Sequence, residues 1–345
     1  MPTSKRLNVA VVGATGLVGN EMLRVLGQRQ FPTDRIVALA SERSKGLTVA
    51  YNGSSIKVEE LSESAFKGID VALFAASGDI ALMYGPAAAE SGALVIDNSS
   101  AWRMKENVPL VVPEVNGDDI RENEGIIANP NCCAIPLTVV LNPIRKAVGL
   151  ERVLVSTYQS ASGAGRALVD ELEEQTKAIA DHKDPPVSAY PYQLAYNVVP
   201  GGWRLEADGY NEEEVKIVNE TRKILHETEL KITATCVRVP VPIGHGESLF
   251  VETVEKLTAD DARTLLGNAP GIIVQDDPQA RLYPTPQGVA GKDEVYVGRI
   301  REDASTKFGL ALWIVSDNLR KGAALNAVQI AEQAIEMGVL GAVRA

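Results

Sequence analysis

The chain has 345 residues, 45% of them apolar and 23% charged, which is ordinary for a soluble globular protein and long enough for two domains with separate cores. Its formal net charge is −11 and no stretch gathers five or six basic residues, which excludes a nucleic-acid groove. The longest apolar runs, such as 137–141, fall far short of the roughly 20 residues a membrane helix needs, so no membrane partner is expected. Cys132, Cys133 and Cys236 cannot make a disulfide framework, and their odd number suits a reducing compartment. The N-terminus, MPTSKRLNVAVVG, runs straight into a strand-like segment with no signal-peptide apolar core, and the cytoplasm is the expected location. His182, His226 and His245 lack metal-ligand spacing with the cysteines, and Cys132 and Cys133 are adjacent rather than CxxC. No metal is expected.

Along the chain, Leu7–Val12 reads as a buried strand and Leu17–Leu26 carries apolar residues at helical spacing. Strands follow at Arg35–Ala40 and Asp70–Ala75, then a helix around Ile80–Ser91 and strands at Ala93–Asp97 and Glu124–Ala128. Strands alternating with helices predict a parallel, doubly wound sheet. After Cys132 the pattern changes. Leu137–Val148 reads as a helix, kinked at Pro143, and Glu151–Gln159 as a β-branched strand. Arg166–His182 is a charged amphipathic helix, followed by a loop at Lys183–Pro191 and another helix at Glu212–Thr228. Ile232–Val241, Ser248–Lys256, Ile272–Gln275 and Glu294–Glu302 read as strands of a second, mostly antiparallel sheet. A strand at Gly309–Ser316 and a helix at Gly322–Met337 close the chain. The expected division is 1–131, 132–313, and a segment 314–345 that returns to the first domain.

Three signals carry chemistry. The strand–turn–helix VAVVGATGLVG, with Gly13, Gly16 and Gly19, lets backbone approach a pyrophosphate at a helix N-terminus. Its spacing is GxxGxxG rather than GxGxxG, so a plain βα turn stays open on spacing alone. The next strand ends in Ser41-Glu42-Arg43-Ser44, where Ser41, Arg43 and Ser44 suit a 2′-phosphate and favour NADP over NAD. A solvated polar loop is the simpler alternative. In the second signal, IIANPNCCAIPLTVV, Cys132 lies between a strand and a helix, where a helix N-terminus lowers thiol pKa and backbone amides can hold an oxyanion. An isolated cysteine would read as a small buried hydrophobe, as Cys236 does. In the third, RVPVPIGHGE, Arg238 and His245 bracket a Pro/Gly turn. Arg suits a carboxylate and His moves protons near neutral pH, although a structural role for the pair stays open.

The order GATGLVG, SERS, DNSSAWRM, PLVVPEVN, NPNC, TYQSASGAG, EEEVK, RVPVPIGHGE resembles the aspartate-β-semialdehyde dehydrogenase family from Asn8 to about Gln333. The resemblance implies a Rossmann-type NADP-binding domain. It also implies a glyceraldehyde-phosphate-dehydrogenase-like α/β catalytic and dimerisation domain, in a homodimer or dimer of dimers. By that resemblance Cys132 is the nucleophile, preceded by Asn131. Gln159 positions substrate, His245 is the general acid/base and Arg238 clamps the α-carboxylate. Arg103 and Lys216 would hold phosphate, and Glu213 would meet the substrate amine. For NADP it implies Gly13, Thr15, Gly16, Leu17, Val18, Gly19, Ser41, Arg43, Ser44, Ser77, Gly78, Ser162, Gly163 and Asn318. The implied reaction is reversible NADPH-dependent conversion of β-aspartyl phosphate to aspartate semialdehyde and phosphate through a cysteine thioester. It belongs to lysine, threonine, methionine and diaminopimelate biosynthesis.

The family commonly reads NCST, whereas this chain has Cys132-Cys133-Ala134, losing two small hydroxyls after the nucleophile, and the glutamine common two positions later is Pro136 here. N-acetyl-γ-glutamyl-phosphate reductase shares the chemistry, but its acylated amine has no use for Glu213. A malonyl-coenzyme A reductase on the same scaffold is the other enzyme alternative. A non-catalytic paralogue should have lost Cys132, Gln159, Arg238 or His245, and all four are present.

Overall fold

The computed structural model describes residues 6–340. The start of the N-terminal stretch read for a leader, and the end of the segment 314–345, lie outside the described residues. Contacts divide the described chain into two compact units. One runs to Asn131 and takes in the residues from Ala323 on; the other is Cys132–Gly322.

The first unit holds β1 (Leu7–Val12), α1 (Leu17–Gln28), β2 (Thr33–Ala40), β3 (Thr48–Tyr51), β4 (Ser54–Glu60), β5 (Val71–Phe74), α2 (Gly78–Glu90), β6 (Leu94–Asp97), α3 (Pro113–Asn116) and β7 (Ile126–Ala128). The second holds α4 (Ala134–Val148), β8 (Leu150–Gln159), α5 (Arg166–Ala180), α6 (Glu212–Leu225), β9 (Lys231–Arg238), β10 (His245–Thr253), α7 (Ala259–Gly267), β11 (Ile272–Val274), α8 (Pro286–Val289), β12 (Val295–Asp303) and β13 (Gly309–Ser316). After a π-helical turn at Arg320–Ala324, α9 (Leu325–Glu336) belongs to the first unit.

The first sheet has the order β3-β4-β2-β1-β5-β6-β7. Every pairing is parallel except that of β3 with β4. Alternate residues of β1 enter opposite cores: Val9 and Val11 pack with α1 and α9, Ala10 and Val12 with α2. A strand covered on both faces needs apolar side chains on both, which is why 9–12 shows no polar alternation after the half-buried Asn8. Because β1 lies between β2 and β5, the loops after these three strands leave the same carboxyl edge. That edge is the topological switch point of a doubly wound sheet.

The second sheet runs β11-β12-β13-β10-β8-β9. Its three central pairings are antiparallel and the two outer ones parallel. One face is buried: Val153, Val155, Leu249, Val251, Leu312 and Ile314 point into it. It is covered by α4, whose residues Ala134–Asn142 are all buried. A helix apolar all round is one enclosed by its own domain. The other face keeps Tyr158 and Phe250 partly exposed. Among the described residues no helix is long and apolar enough to cross a membrane.

The β3–β4 hairpin and the helices α3, α7 and α8 were not anticipated. The hairpin β3–β4 turns at Asn52-Gly53, both with positive φ, the arrangement that a tight two-residue turn requires. Its strands are mostly exposed, so they lack the apolar run that marks the rest of the sheet. The short helix α7 starts at Thr258, whose hydroxyl accepts from the Asp261 amide. The closing helix also starts later than Gly322, because the π-turn intervenes.

Candidate active site

Strand register assembles the site within the second unit. Gln159 of β8 is paired with Arg238 of β9, and Thr157 with Cys236. On the other side Thr157 pairs with Glu247 of β10, while His245 pairs with Ser316 of β13. Side chains two residues apart share a sheet face. Gln159, Arg238, His245 and Glu247 therefore share the buried face, and each is at most 2% exposed.

Cys132 adjoins Cys133, the residue that caps α4, and is partly exposed. Its Sγ lies 3.4 Å from His245 Nε2. The other ring nitrogen, Nδ1, accepts from the Ser160 backbone amide at 3.1 Å, and the Ser160 hydroxyl is also 3.1 Å away. An amide N–H can only donate, so this network assigns the imidazole proton to Nε2, facing the sulfur. Ser160 is fixed in turn by Asn318, whose Oδ1 accepts from the hydroxyls of Ser160 and Ser162 and from the Gly244 amide. The Cys132 thiol is held well below its ordinary range. A hydrogen bond from Cys133 is the largest cause, opposed by burial and supported by His245 and Arg238. These surroundings favour the thiolate form of the sulfur. Burial drives Cys133 the opposite way, and also pushes Cys236 up.

Cys132, Cys133 and His245 bring three metal-ligand atoms within 4.8 Å of one another, a grouping that spacing along the chain did not show. A metal-bound imidazole donates from its other nitrogen, whereas Nδ1 here receives a hydrogen bond. The donor set does not suit a metal.

Arg238 donates to the Ser160 carbonyl at 2.8 Å and lies over the rings of Trp203 and Tyr190, 4.7 and 5.8 Å from their centroids. Its Nε is buried without a hydrogen-bond partner. A buried cation with one donor unmet, beside a thiolate, is built to receive an anion. Gly163 sits against both groups: a Cβ there would meet Arg238 Nη1 at 2.8 Å and His245 Nε2 at 3.1 Å. Gln159 Nε2 reaches Glu213 at 3.4 Å, and Lys216 lies 3.6 Å from Glu213. Glu213 and Lys216 occupy the first turns of α6, which starts with a full capping box on Asn211 and Glu214.

In the first unit, Gly13 follows β1 with φ of +80°. A Cβ on Gly13 would stand 2.3 Å from the Ala75 carbonyl oxygen, and one on Gly19 would stand 2.2 Å from that of Gly13. Gly16 leaves the start of α1 with no side-chain cap. Thr15, Leu17 and Val18 are half-buried in the same turn. Ser41 and Arg43 are exposed at the end of β2, with Ser44 half-buried beside them. Ser77 and Gly78 begin α2, which also lacks a side-chain cap. Backbone close to open helix starts fits a bound dinucleotide phosphate. Arg103 is buried, donating to the carbonyls of Asn129 and Asn98. Asn131 is buried at the end of this unit.

The second unit thus gathers Cys132, Gln159, Glu213, Lys216, Arg238 and His245, with Ser162, Gly163 and Asn318 around His245. Arg103, Asn131 and the glycine turn belong to the first. Sequence reasoning missed Ser160, Trp203 and Glu247. Glu247 carries a signal, being a carboxylate two residues from His245 on the same strand. It is buried with neither oxygen hydrogen-bonded, and burial lifts it well above the ordinary carboxylate range. No local pattern marks the other two.

A doubly wound sheet with a glycine turn at its switch point, in a chain that also carries a cysteine–histidine pair at a helix start, fits a nicotinamide-dependent dehydrogenase. Residues 8–123 match the family model "Semialdehyde dehydrogenase, NAD binding domain", and residues 141–321 match "Semialdehyde dehydrogenase, dimerisation domain". The chain belongs to the aspartate-semialdehyde dehydrogenase family. It is 50% identical over 336 residues to the aspartate-semialdehyde dehydrogenase of Aquifex aeolicus (strain VF5), covering 96% of this chain and 99% of that one. A structure of aspartate semialdehyde dehydrogenase II from Vibrio cholerae, complexed with ASA, superposes with a TM-score of 0.94 at 44% identity over 96% of this chain and 99% of that one. The aspartate semialdehyde dehydrogenase from Candida albicans, with NADP, has a TM-score of 0.76 at 25% identity over 96% of this chain and 99% of that chain.

Proposed function

We propose that this protein catalyses the reversible, NADPH-dependent reductive dephosphorylation of β-aspartyl phosphate to aspartate β-semialdehyde, in the pathway to lysine, threonine, methionine and diaminopimelate. The observation that carries the reading is Arg238, a buried guanidinium with an unmet donor beside the Cys132–His245 pair. It suits the α-carboxylate of a substrate whose far end reaches sulfur. Glu213 suits the α-ammonium, Gln159 orients the carbonyl, and Asn131 borders the nucleophile. Arg103 and Lys216 hold the phosphate.

Cys132 thiolate attacks the acyl carbon, and phosphate leaves with the electrons of the broken C–O bond, giving a thioester. When bound, the cofactor supplies the hydride that converts this thioester to a thiohemiacetal. His245 is the acid/base partner at that carbon. Its Nε2 proton, shared with sulfur in the free enzyme, is shared with the alkoxide oxygen once the carbon is tetrahedral. Collapse of the alkoxide releases the aldehyde and restores the thiolate.

The residues that would hold the cofactor are Gly13–Gly19, Ser41, Arg43, Ser44, Ser77 and Gly78, with Ser162, Gly163 and Asn318. Arg43 at the end of β2 favours NADP over NAD. The relative from Candida albicans, with NADP, supports that preference. The dimerisation-domain match supports a homodimer. Three free thiols suit a cytoplasmic setting.

The deciding assay is nicotinamide reduction with aspartate semialdehyde and phosphate, against malonate semialdehyde and coenzyme A. Phosphate-dependent turnover of the first pair is expected, with NADP preferred. Arg43→Ala should cost NADP about 10- to 150-fold in kcat/KM and NAD little. Turnover of the coenzyme A pair alone would overturn the substrate, and equal losses for both cofactors would overturn the role of Arg43.

A further inference from the structure

We propose that Cys133 is a positioning residue for the nucleophile: its S–H donates a hydrogen bond to the Cys132 sulfur, a second donor beside the Nε2–H of His245. This rests on Cys132 being the attacking residue. A thiolate partly withdrawn from water needs donors or positive charge close by. In many thiol enzymes an imidazolium supplies the charge. Here Nδ1 of His245 receives the Ser160 amide, so the ring presents Nε2–H to the sulfur as its donor. The Arg238 guanidinium adds its charge, but its Nη1 is committed to the Ser160 carbonyl. That leaves room for a further donor, and the next residue in the chain is a thiol.

Cys133 is fully buried at the start of α4, in helical backbone geometry. Its Sγ is within 4.8 Å of both Cys132 Sγ and a ring nitrogen of His245. Burial, with the Cys132 thiolate next to it, keeps the proton on Cys133, so of the two sulfurs it is the one that donates. The hydrogen bond is also the largest cause holding the Cys132 thiol below its ordinary range.

The test compares wild type, Cys133→Ser and Cys133→Ala by the pH dependence of iodoacetamide alkylation at Cys132, mapped by mass spectrometry. Cys133→Ala should move the midpoint up by about one pH unit, a tenfold loss of thiolate below it. Cys133→Ser, which keeps a donor, should stay at or below the wild-type midpoint. A Ser variant that follows the Ala variant, or an Ala variant that keeps the wild-type midpoint, overturns the proposal. A second measurement needs no variant. The infrared S–H stretch of Cys133 in wild type should lie at low frequency and rise when Cys132 is alkylated, and an unchanged band also overturns it. Failure of the underlying reading looks different: Cys132→Ser would still turn over and the label would fall on Cys133.

Discussion

Gly163 is exposed on the turn between β8 and α5, yet it has no room for a methyl group on the side that faces Arg238 and His245. The guanidinium cannot yield freely, since it is tied to the Ser160 carbonyl and packed on Trp203. Gly163→Ala should therefore displace the clamp by a few tenths of an ångström and lower kcat/KM for the semialdehyde about 10- to 100-fold. Because the backbone there is not left-handed, the melting temperature should hold. Calorimetry beside steady-state kinetics checks this, and a matched loss of stability and activity would mean that Gly163 serves the fold. At this scale the sequence was readable where chemistry is concentrated in one side chain. Cys132, Arg238 and His245 stood out by type and neighbourhood. Ser160 did not, since it acts on His245 through a backbone amide that every residue but proline possesses, and Trp203 reaches Arg238 only through the folded loop.

Among the elements, α6 presents Glu213 and Lys216 from its first turns, and the Asn211–Glu214 capping box sets where those turns begin. Asn211→Ala removes one side of that box. It should cost about 1 kcal/mol, seen as a fall of about 2–4 °C in Tm, and raise the KM for phosphate. Single-turnover hydride transfer from the semialdehyde should persist, because thioester formation from an aldehyde needs no phosphate. An unchanged phosphate KM would separate the cap from the site. The strands of both sheets were legible wherever burial forced an apolar run or a strict alternation. The β3–β4 hairpin and α7 were not, because each is short and mostly solvated, so that turn and cap chemistry rather than periodicity defines it.

For the whole molecule, the second sheet has one face under α4 and another that carries Tyr158, Phe250 and Trp313 with only partial cover. Leu154, Ser156 and Ser248 lie on that face and are also half-buried. A second copy of the chain is the partner we propose for it, in line with the dimerisation-domain match. Phe250→Glu would place a charge in that contact and should weaken self-association at least about 30-fold. Sedimentation velocity across a dilution series reads the change, and an unaltered assembly would assign the interface elsewhere.

The pairing of β8, β9 and β10 has a consequence for preparations of the enzyme. A slip of one residue between any two of these strands would turn Gln159, Arg238 or His245 to the opposite face, while leaving a sheet of the same length and nearly the same circular dichroism. Such molecules would count as protein in every concentration measurement and contribute no turnover. Burst titration of Cys132 with semialdehyde and NADP in the absence of phosphate therefore counts correctly paired molecules. After refolding from denaturant, the burst per chain should fall short of the recovered β signal by the fraction that slipped, and it should not recover on longer incubation with substrate.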